Sequence, residues 1–195
     1  MKKLLSIFIA ILILISIGFA SINYFFDSNN DDPGSKEIVV LLHGLGRTNA
    51  SMWLLSSRLK EAGYHVQRVG YSSLGQSPEK ILQDISQQID LCCKEHAYQV
   101  HFVGHSLGGL MVRAYLQNNQ VENLARVVLL GTPNQGATSA DYFSDSWLMK
   151  LLGPTAKVLG TDTSSFPRSL ELPYYPVGII AGELKSEFNE GFIPG

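Results

Sequence analysis

The chain has 195 residues, a length that suits one domain, and 45% of them are hydrophobic while 16% are charged. This composition permits a packed core and argues against a globally disordered chain. The formal net charge of -2 gives no electrostatic basis for nucleic-acid binding, and the sequence carries no DNA- or RNA-binding motif, so we expect no nucleic-acid partner.

The amino-terminal segment is apolar. Lys2 and Lys3 precede a stretch without charge from Leu4 to Ile22. Its length lies between that of a signal peptide and that of a membrane-spanning helix, which needs about 20 apolar residues. Residues 1–26 are therefore predicted to be a signal anchor or a signal peptide, with a membrane contact through residues 4–22. The positive-inside rule then predicts a membrane-anchored chain facing the periplasm or extracellular side, or a secreted one if the segment is cleaved.

Residues 27–36, DSNNDDPGSK, are polar and contain Pro and Gly, which predicts a linker. The folded domain is then residues 37–195. Short apolar runs rich in β-branched residues predict five strands within it, over 37–42, 64–71, 99–104, 124–131 and 173–182.

Helical patterns separate the first four predicted strands. The first contains NASMWLLSSRLKEAG and stops at Gly63, and the second starts at Ser77-Pro78 and places Ile81, Ile85 and Ile89 on one stripe. This alternation predicts an α/β domain of three layers with a mostly parallel sheet. Functional groups are then expected at the carboxyl ends of the strands.

The most informative of these strand ends is GHSLG, residues 104–108. A serine on a sharp turn between a strand and a helix is lifted clear of the sheet, and glycines two residues before and after it remove side-chain clashes. Gly104 and Gly108 occupy those positions around Ser106. We therefore predict that Ser106 is a nucleophile on this turn, although a glycine-flanked serine is in other proteins only a packing feature.

Two backbone amides are candidates to stabilise an oxyanion beside Ser106. The helix after the serine points its amino terminus at the site, which offers the N–H of Leu107. Leu45 follows His43-Gly44 at the end of the first strand, where Gly44 and Gly46 permit a turn that aims an amide inward. Each such donor contributes roughly 3 kcal/mol to acyl transfer.

Three blocks carry a family resemblance: VVLLHGLGRTNASMW, VHFVGHSLGGLMVRAYL and VVLLGTPNQGA. They resemble the α/β-hydrolase superfamily, in particular its small bacterial lipases and acylhydrolases. The resemblance implies a serine hydrolase acting on a lipid or other acyl-ester substrate, without metal or organic cofactor. It implies Ser106 as the nucleophile and the amides of Leu45 and Leu107 as oxyanion donors. The expected supporting residues are His43, Gly44, Gly104, His105 and Gly108.

The family also needs an acid and a histidine after the serine. All five histidines lie at or before His105, so we expect a domain truncated at its carboxyl-terminal edge. His43 is expected to brace its loop and, less plausibly, to act as a substitute base. Asp141, Asp145 and Asp162 are expected to be loop charges, while Glu183 and Glu187 lie nearer the usual place of the acid. Whether the chain is an enzyme is therefore uncertain from sequence.

Two other functions stay open. In the first alternative, the chain is a catalytically inactive, truncated remnant that at most binds acyl ligands. In the second, it is an acyltransferase whose acceptor is not water. The oligomeric state is unknown.

Three further features receive structural interpretations. Arg113 is expected to form a salt bridge or to lie at the surface. The apolar excursion from Tyr142 to Leu152 suits either a lid or core packing. Adjacent side chains diverge on a helix, so Cys92 and Cys93 are expected to be two separate buried thiols.

Overall fold

The structure is a computed structural model that describes residues 36–93, 99–137 and 153–182. The chain divides into two units, 1–30 and 31–195, and all described residues lie in the second. The predicted signal segment, most of the predicted linker and the apolar excursion lie outside the described residues. Those assignments stay predictions.

The elements follow the predicted alternation. The strands are β1 (Glu37–Leu42), β2 (His65–Val69), β3 (Gln99–His105), β4 (Leu124–Leu130) and β5 (Val177–Ile180). The helices are α1 (Trp53–Glu61), entered through a 3-10 turn (Asn49–Met52), then α2 (Pro78–Cys93), α3 (Leu107–Asn118), α4 (Pro154–Lys157) and α5 (Phe166–Ser169). β5 is shorter than its predicted run because Pro173 to Pro176 lies in a turn before it.

Within the described ranges, the strands form one five-stranded sheet in the order β2-β1-β3-β4-β5, and every pair is parallel. The predicted parallel sheet is therefore confirmed. The chain proceeds outward from β1 to β2 on one side of the sheet and from β3 to β4 and β5 on the other. The strand order therefore changes direction between β1 and β3. The ends of these two strands meet at the carboxyl edge, and this is where a parallel α/β sheet places its ligand site.

Helices cover both faces of the sheet, as the alternating side chains of β1 show. Ile38, Val40 and Leu42 face a core that also contains buried residues of α2 and α3. Val39 and Leu41 face the opposite core, together with Met52 before α1. Because each face of the sheet has its own apolar cluster, the domain has the three layers expected from the sequence.

Helix α2 shows how the sequence pattern determines this packing. Ile81, Ile85 and Ile89, spaced four residues apart, are its fully or almost fully buried isoleucines. The N–H of Lys80 approaches the Ser77 side-chain oxygen at 3.4 Å, which places Ser77 where a cap is expected. The stripe that the sequence predicts is therefore the face that meets the sheet.

Two expectations about α2 and α3 are wrong. The sulfurs of Cys92 and Cys93 are joined in a disulfide, and both residues are only partly buried. Both cysteines are assigned to α2, so the expected divergence of neighbouring side chains on a helix does not hold at this pair. Arg113 is neither in a described salt bridge nor at the surface, because it is buried in α3 and bonded to loop oxygens.

Among the residues that the structure describes, no helix is long and apolar enough to cross a membrane.

Candidate active site

The turn between β3 and α3, residues 104–109, is called the elbow below. Ser106 lies at its apex with φ 53° and ψ -120°, the sole positive φ of a non-glycine residue in the described part of the chain. A left-handed φ costs a serine roughly 1–3 kcal/mol and persists only where the surroundings enforce it. Here the Ser106 N–H donates to the Leu130 carbonyl at 2.9 Å, and α3 begins at the next residue.

The glycines of the elbow are required by close backbone packing. A Cβ on Gly104 would overlap the backbone of Gly108 and Gly109. A Cβ on Gly108 would overlap the Leu42 carbonyl and lie 2.6 Å from the His43 carbonyl oxygen. The elbow therefore fits directly against the end of β1, which brings the two strand ends of the predicted site together.

The β1 loop, residues 43–46, lies beside the serine. A Cβ on Gly44 would be 3.2 Å from the Ser106 Cβ and 3.1 Å from the His105 Nδ1. His105 itself is exposed, and His43 is fully buried. The structure thus brings together Ser106 and the residues expected to support it, while their catalytic roles stay predictions.

The two predicted oxyanion donors lie in these two turns. Leu107 is the first residue of α3 and Leu45 is the third residue of the β1 loop. Among the described residues, no group accepts a hydrogen bond from either backbone N–H. Both amides are therefore available to an external acceptor, as an oxyanion site requires.

His43 is placed as a brace of the β1 loop. Its ring stacks on Tyr71, with ring centroids 4.0 Å apart and an angle of 12° between the planes. Its Nδ1 bonds to the Gly44 carbonyl at 3.0 Å, while its Nε2 has no partner among the described residues. Burial lowers the pKa of His43 despite the nearby carbonyls, so the ring is neutral at pH 7.

Tyr71 and Ser73, two residues that the sequence analysis did not single out, also contact the β1 loop. The Tyr71 hydroxyl donates to the His43 carbonyl, and the Gly46 N–H donates to the Ser73 side-chain oxygen at 2.9 Å. Burial raises the pKa of Tyr71 far above its usual value, so the hydroxyl keeps its proton. The sequence could have indicated both residues through their position just after β2, the strand that neighbours β1 in the sheet.

Some of the other candidate bases and acids lie among the described residues. None of the described histidines or carboxylates bonds to Ser106 Oγ. His65 and His101 lie within β2 and β3, and His96 lies outside the described residues. Asp162 lies in a turn before α5, and the carboxylates at 141, 145, 183 and 187 also lie outside the described residues.

The chain after β4 closes over the start of α3. Thr132 packs so tightly on the elbow that a Cβ on Gly109 would overlap the Thr132 side chain. Arg113 lies further along α3 and donates to the Asn134 side-chain oxygen at 3.2 Å and to the Leu170 and Glu171 carbonyls at 3.1 and 3.2 Å. Arg113 therefore joins two loops at the flank of the elbow.

Across the described ranges, no group of three or more His, Cys, Asp or Glu side chains is arranged to hold a metal ion.

Sequence and structure comparisons agree with this geometry. Residues 38–166 match the family described as palmitoyl protein thioesterase, which covers β1 through the start of α5. This match contains both the β1 loop and the elbow. No curated protein matches the chain significantly.

Solved structures share the fold at low sequence identity. The Bacillus licheniformis lipase BlEst2 in its mature form is 21% identical with a TM-score of 0.58, over 72% of this chain and 60% of that one. The metagenomic carboxyl esterase MGS0156 is 16% identical with a TM-score of 0.56, over 76% of this chain and 50% of that one. The chain thus spans about 60% of the lipase. These likenesses establish the α/β-hydrolase fold that the sequence resemblance implied.

Proposed function

The chain belongs to the palmitoyl protein thioesterase family of α/β-hydrolases, and from this premise we propose that it is a serine hydrolase that cleaves carboxylic esters through an acyl-enzyme on Ser106. The observation that carries the proposal is the backbone of Ser106 at φ 53°, in a turn next to the β1 loop, with two nearby amides that have no acceptor among the described residues. A protein maintains such a conformation where it exposes a nucleophile.

The chemistry has two steps. Ser106 Oγ attacks the acyl carbon and gives its proton to a general base, while the carbonyl electron pair forms an oxyanion beside the N–H groups of Leu45 and Leu107. The oxyanion collapses, the bond to the leaving group breaks, and the leaving alcohol or thiol takes the proton. Water then attacks the acyl carbon of the acyl-enzyme and gives up a proton to the base, a second oxyanion collapses, and the bond to Ser106 Oγ breaks as that oxygen takes the proton, which releases the carboxylic acid. These steps require no metal or organic cofactor.

The substrate class follows from the family. Its description names the thioester of a long acyl chain, and thioesters and oxygen esters pass through the same tetrahedral oxyanion. The predicted membrane contact of residues 4–22 favours a lipid-like acyl group. We therefore propose apolar acyl esters and thioesters as substrates, with the first step common to both.

The test compares wild type with Ser106→Ala in detergent, on p-nitrophenyl butyrate and on a butyryl thioester. Loss of the nucleophile is expected to lower kcat by about a thousandfold or more. Intact-protein mass spectrometry after rapid acid quenching should detect the acyl adduct in wild type alone.

Two outcomes decide against the hydrolase. Equal hydrolysis by both proteins would show that Ser106 is not the nucleophile. Absence of both turnover and adduct in wild type would favour the alternative, an inactive protein that binds acyl ligands. An adduct that transfers to an added alcohol faster than to water would assign acyl transfer instead.

A further inference from the structure

Two side chains of one loop hold the β1 loop on either side of Leu45. The loop is residues 70–76, between β2 and α2, and is called the bracket below. Tyr71 donates its hydroxyl proton to the His43 carbonyl, two residues before Leu45. Ser73, which is 2% exposed, accepts the Gly46 N–H, one residue after Leu45. The amide of Leu45, which has no acceptor in the described part of the chain, lies between these two attachments.

The peptide that carries the Leu45 N–H is also fixed through its other end. Its carbonyl belongs to Gly44, which accepts from His43 Nδ1 at 3.0 Å and from the Arg47 N–H at 3.3 Å. A trans peptide points its N–H and C=O in opposite directions, so fixing the carbonyl fixes the amide. Tyr71 contributes here as well, because its ring stacks on the His43 ring that makes this bond.

The β1 loop needs such restraints because its own sequence supplies little rigidity. Gly44 and Gly46 flank Leu45, and Gly46 adopts φ 67°, a region that glycine enters freely. An amide between two glycines samples many orientations unless side chains from elsewhere select one. An oxyanion donor contributes to catalysis only if its direction is already set before the reaction.

Hydrogen bonds also hold the bracket at both of its ends. The Gln88 side chain in α2 bonds both backbone groups of Gly70, donating to its carbonyl at 2.7 Å and accepting from its N–H at 3.0 Å. Thr155 in α4 donates twice to the Gln76 carbonyl, from its hydroxyl at 2.7 Å and from its N–H at 3.2 Å. Tyr71 and Ser73 are therefore held in a loop with little freedom to shift.

From these contacts we infer that Tyr71 and Ser73 are positioning residues that aim the Leu45 amide at the oxyanion formed on Ser106. The inference rests on the proposed function, since the oxyanion forms only if Ser106 attacks an acyl carbon. Neither residue touches the reacting atoms; both act through the backbone of the β1 loop.

Ser73→Ala provides the main test, with Ser72→Ala as its matched control. Ser72 is the preceding residue, is exposed, and donates its hydroxyl to the Leu74 carbonyl within the bracket. Ser73→Ala is expected to lower kcat for p-nitrophenyl butyrate about tenfold with KM nearly unchanged, because the lost contact acts on the transition state. Ser72→Ala should keep the wild-type kcat.

Tyr71→Phe should act in the same direction, since it keeps the ring that stacks on His43 and removes the hydroxyl. Its control is Tyr174→Phe, which removes a tyrosine hydroxyl bonded to a carbonyl, that of Leu116, outside the β1 loop. Binding of an alkyl boronic acid, which forms a tetrahedral adduct on serine, should weaken about tenfold in Tyr71→Phe and Ser73→Ala. Tyr174→Phe should bind the boronic acid as wild type does.

Hydrogen exchange separates this inference from the proposed function. In Ser73→Ala the Gly46 amide should exchange at least about tenfold faster than in wild type, with the elbow amides unchanged. If wild type is inactive, the proposed function fails and the exchange result still reports whether the bracket restrains the β1 loop. Wild-type turnover combined with an unchanged kcat and boronate affinity in folded Ser73→Ala would overturn the inference.

Discussion

The elbow and the β1 loop offer similar groups to the same site, yet their conformations are fixed in different ways. The elbow is marked by its own sequence, because the glycines two residues from Ser106 permit the close packing that its contacts with residues 42, 43 and 130 then hold. The β1 loop is determined from a distance, by Tyr71 and Ser73, which are 28 and 27 residues from the groups they bind. A short motif therefore reveals the elbow, whereas only the folded chain reveals what fixes the β1 loop.

The largest effect is expected from breaking the elbow with Gly108→Ala. The new Cβ would meet backbone oxygens of residues 42 and 43, which cannot move without shifting β1. Overpacking of this kind should lower the free energy of unfolding by about 3 kcal/mol or more. Chemical denaturation measures it, and Gly178→Ala in β5 is the control, because its Cβ would have no neighbour closer than 4.0 Å. Similar losses in both variants would contradict a special requirement at the elbow.

The substitution Arg113→Met tests whether the stability of the protein also depends on contacts between α3 and the loops beside the elbow. It removes a buried guanidinium from four loop oxygens and keeps most of the side-chain volume. We expect a loss of about 2 kcal/mol in unfolding free energy, since the carbonyls left behind lose their partners. Arg58→Met is the control, because its exposed ion pair with Glu61 contributes less than about 1 kcal/mol. Thermal unfolding of the two variants decides; equal melting temperatures would contradict the prediction.

Thr155→Val loosens the far end of the bracket without touching the β1 loop. Valine keeps the shape of this fully buried residue and removes its hydroxyl bond to Gln76. Stability should fall by about 1 kcal/mol, the usual contribution of one such bond. Kcat should fall less than in Ser73→Ala, because the contacts of Tyr71 and Ser73 remain. A kcat loss equal to that of Ser73→Ala would mean that the bracket moves as one body.

The smallest effect is expected from pH. Burial lowers the pKa of His43 in the β1 loop, and burial also lowers that of His101 in β3, where the Glu37 carboxylate opposes the shift. The unfolded chain then binds more protons than the folded one, so stability is complete above pH 6.5 and decreases as the pH falls towards the folded-state pKa values. The melting temperature should therefore decrease as the pH is lowered from 7.5 to 5.

Glutamine variants separate the two histidines. His43→Gln and His101→Gln should each have a weaker pH dependence than wild type. A pH profile of His43→Gln that superimposes on the wild-type profile would contradict a buried, neutral His43.

Much of the architecture was predictable because it follows from periodic patterns. The apolar runs of β1 and β3 and the isoleucine stripe of α2 each report a buried surface, and alternation of strands and helices leaves few topologies. The position of Ser106 was equally accessible, since glycines two residues away on both sides are unusual unless the backbone turns sharply there.

The rest depended on contacts between distant residues. Nothing adjacent in the chain marks Tyr71 as the partner of a carbonyl at the end of β1, because that pairing arises only once β2 lies beside β1. Arg113 was wrongly expected to form a salt bridge or lie exposed, since its partners are the Asn134 side-chain oxygen and three backbone carbonyls, none of which the residues around Arg113 in the sequence indicate.

The left-handed backbone of Ser106 has a consequence for how such a protein can change over generations. Glycine adopts φ 53° with little strain, so Ser106→Gly is expected to relieve about 1 kcal/mol or more while removing the hydroxyl. Selection for heat resistance alone would thus favour discarding this serine, and selection for hydrolysis would oppose that drift. If thermostable descendants retain a serine at this position, this retention would indicate that the hydroxyl contributes to function.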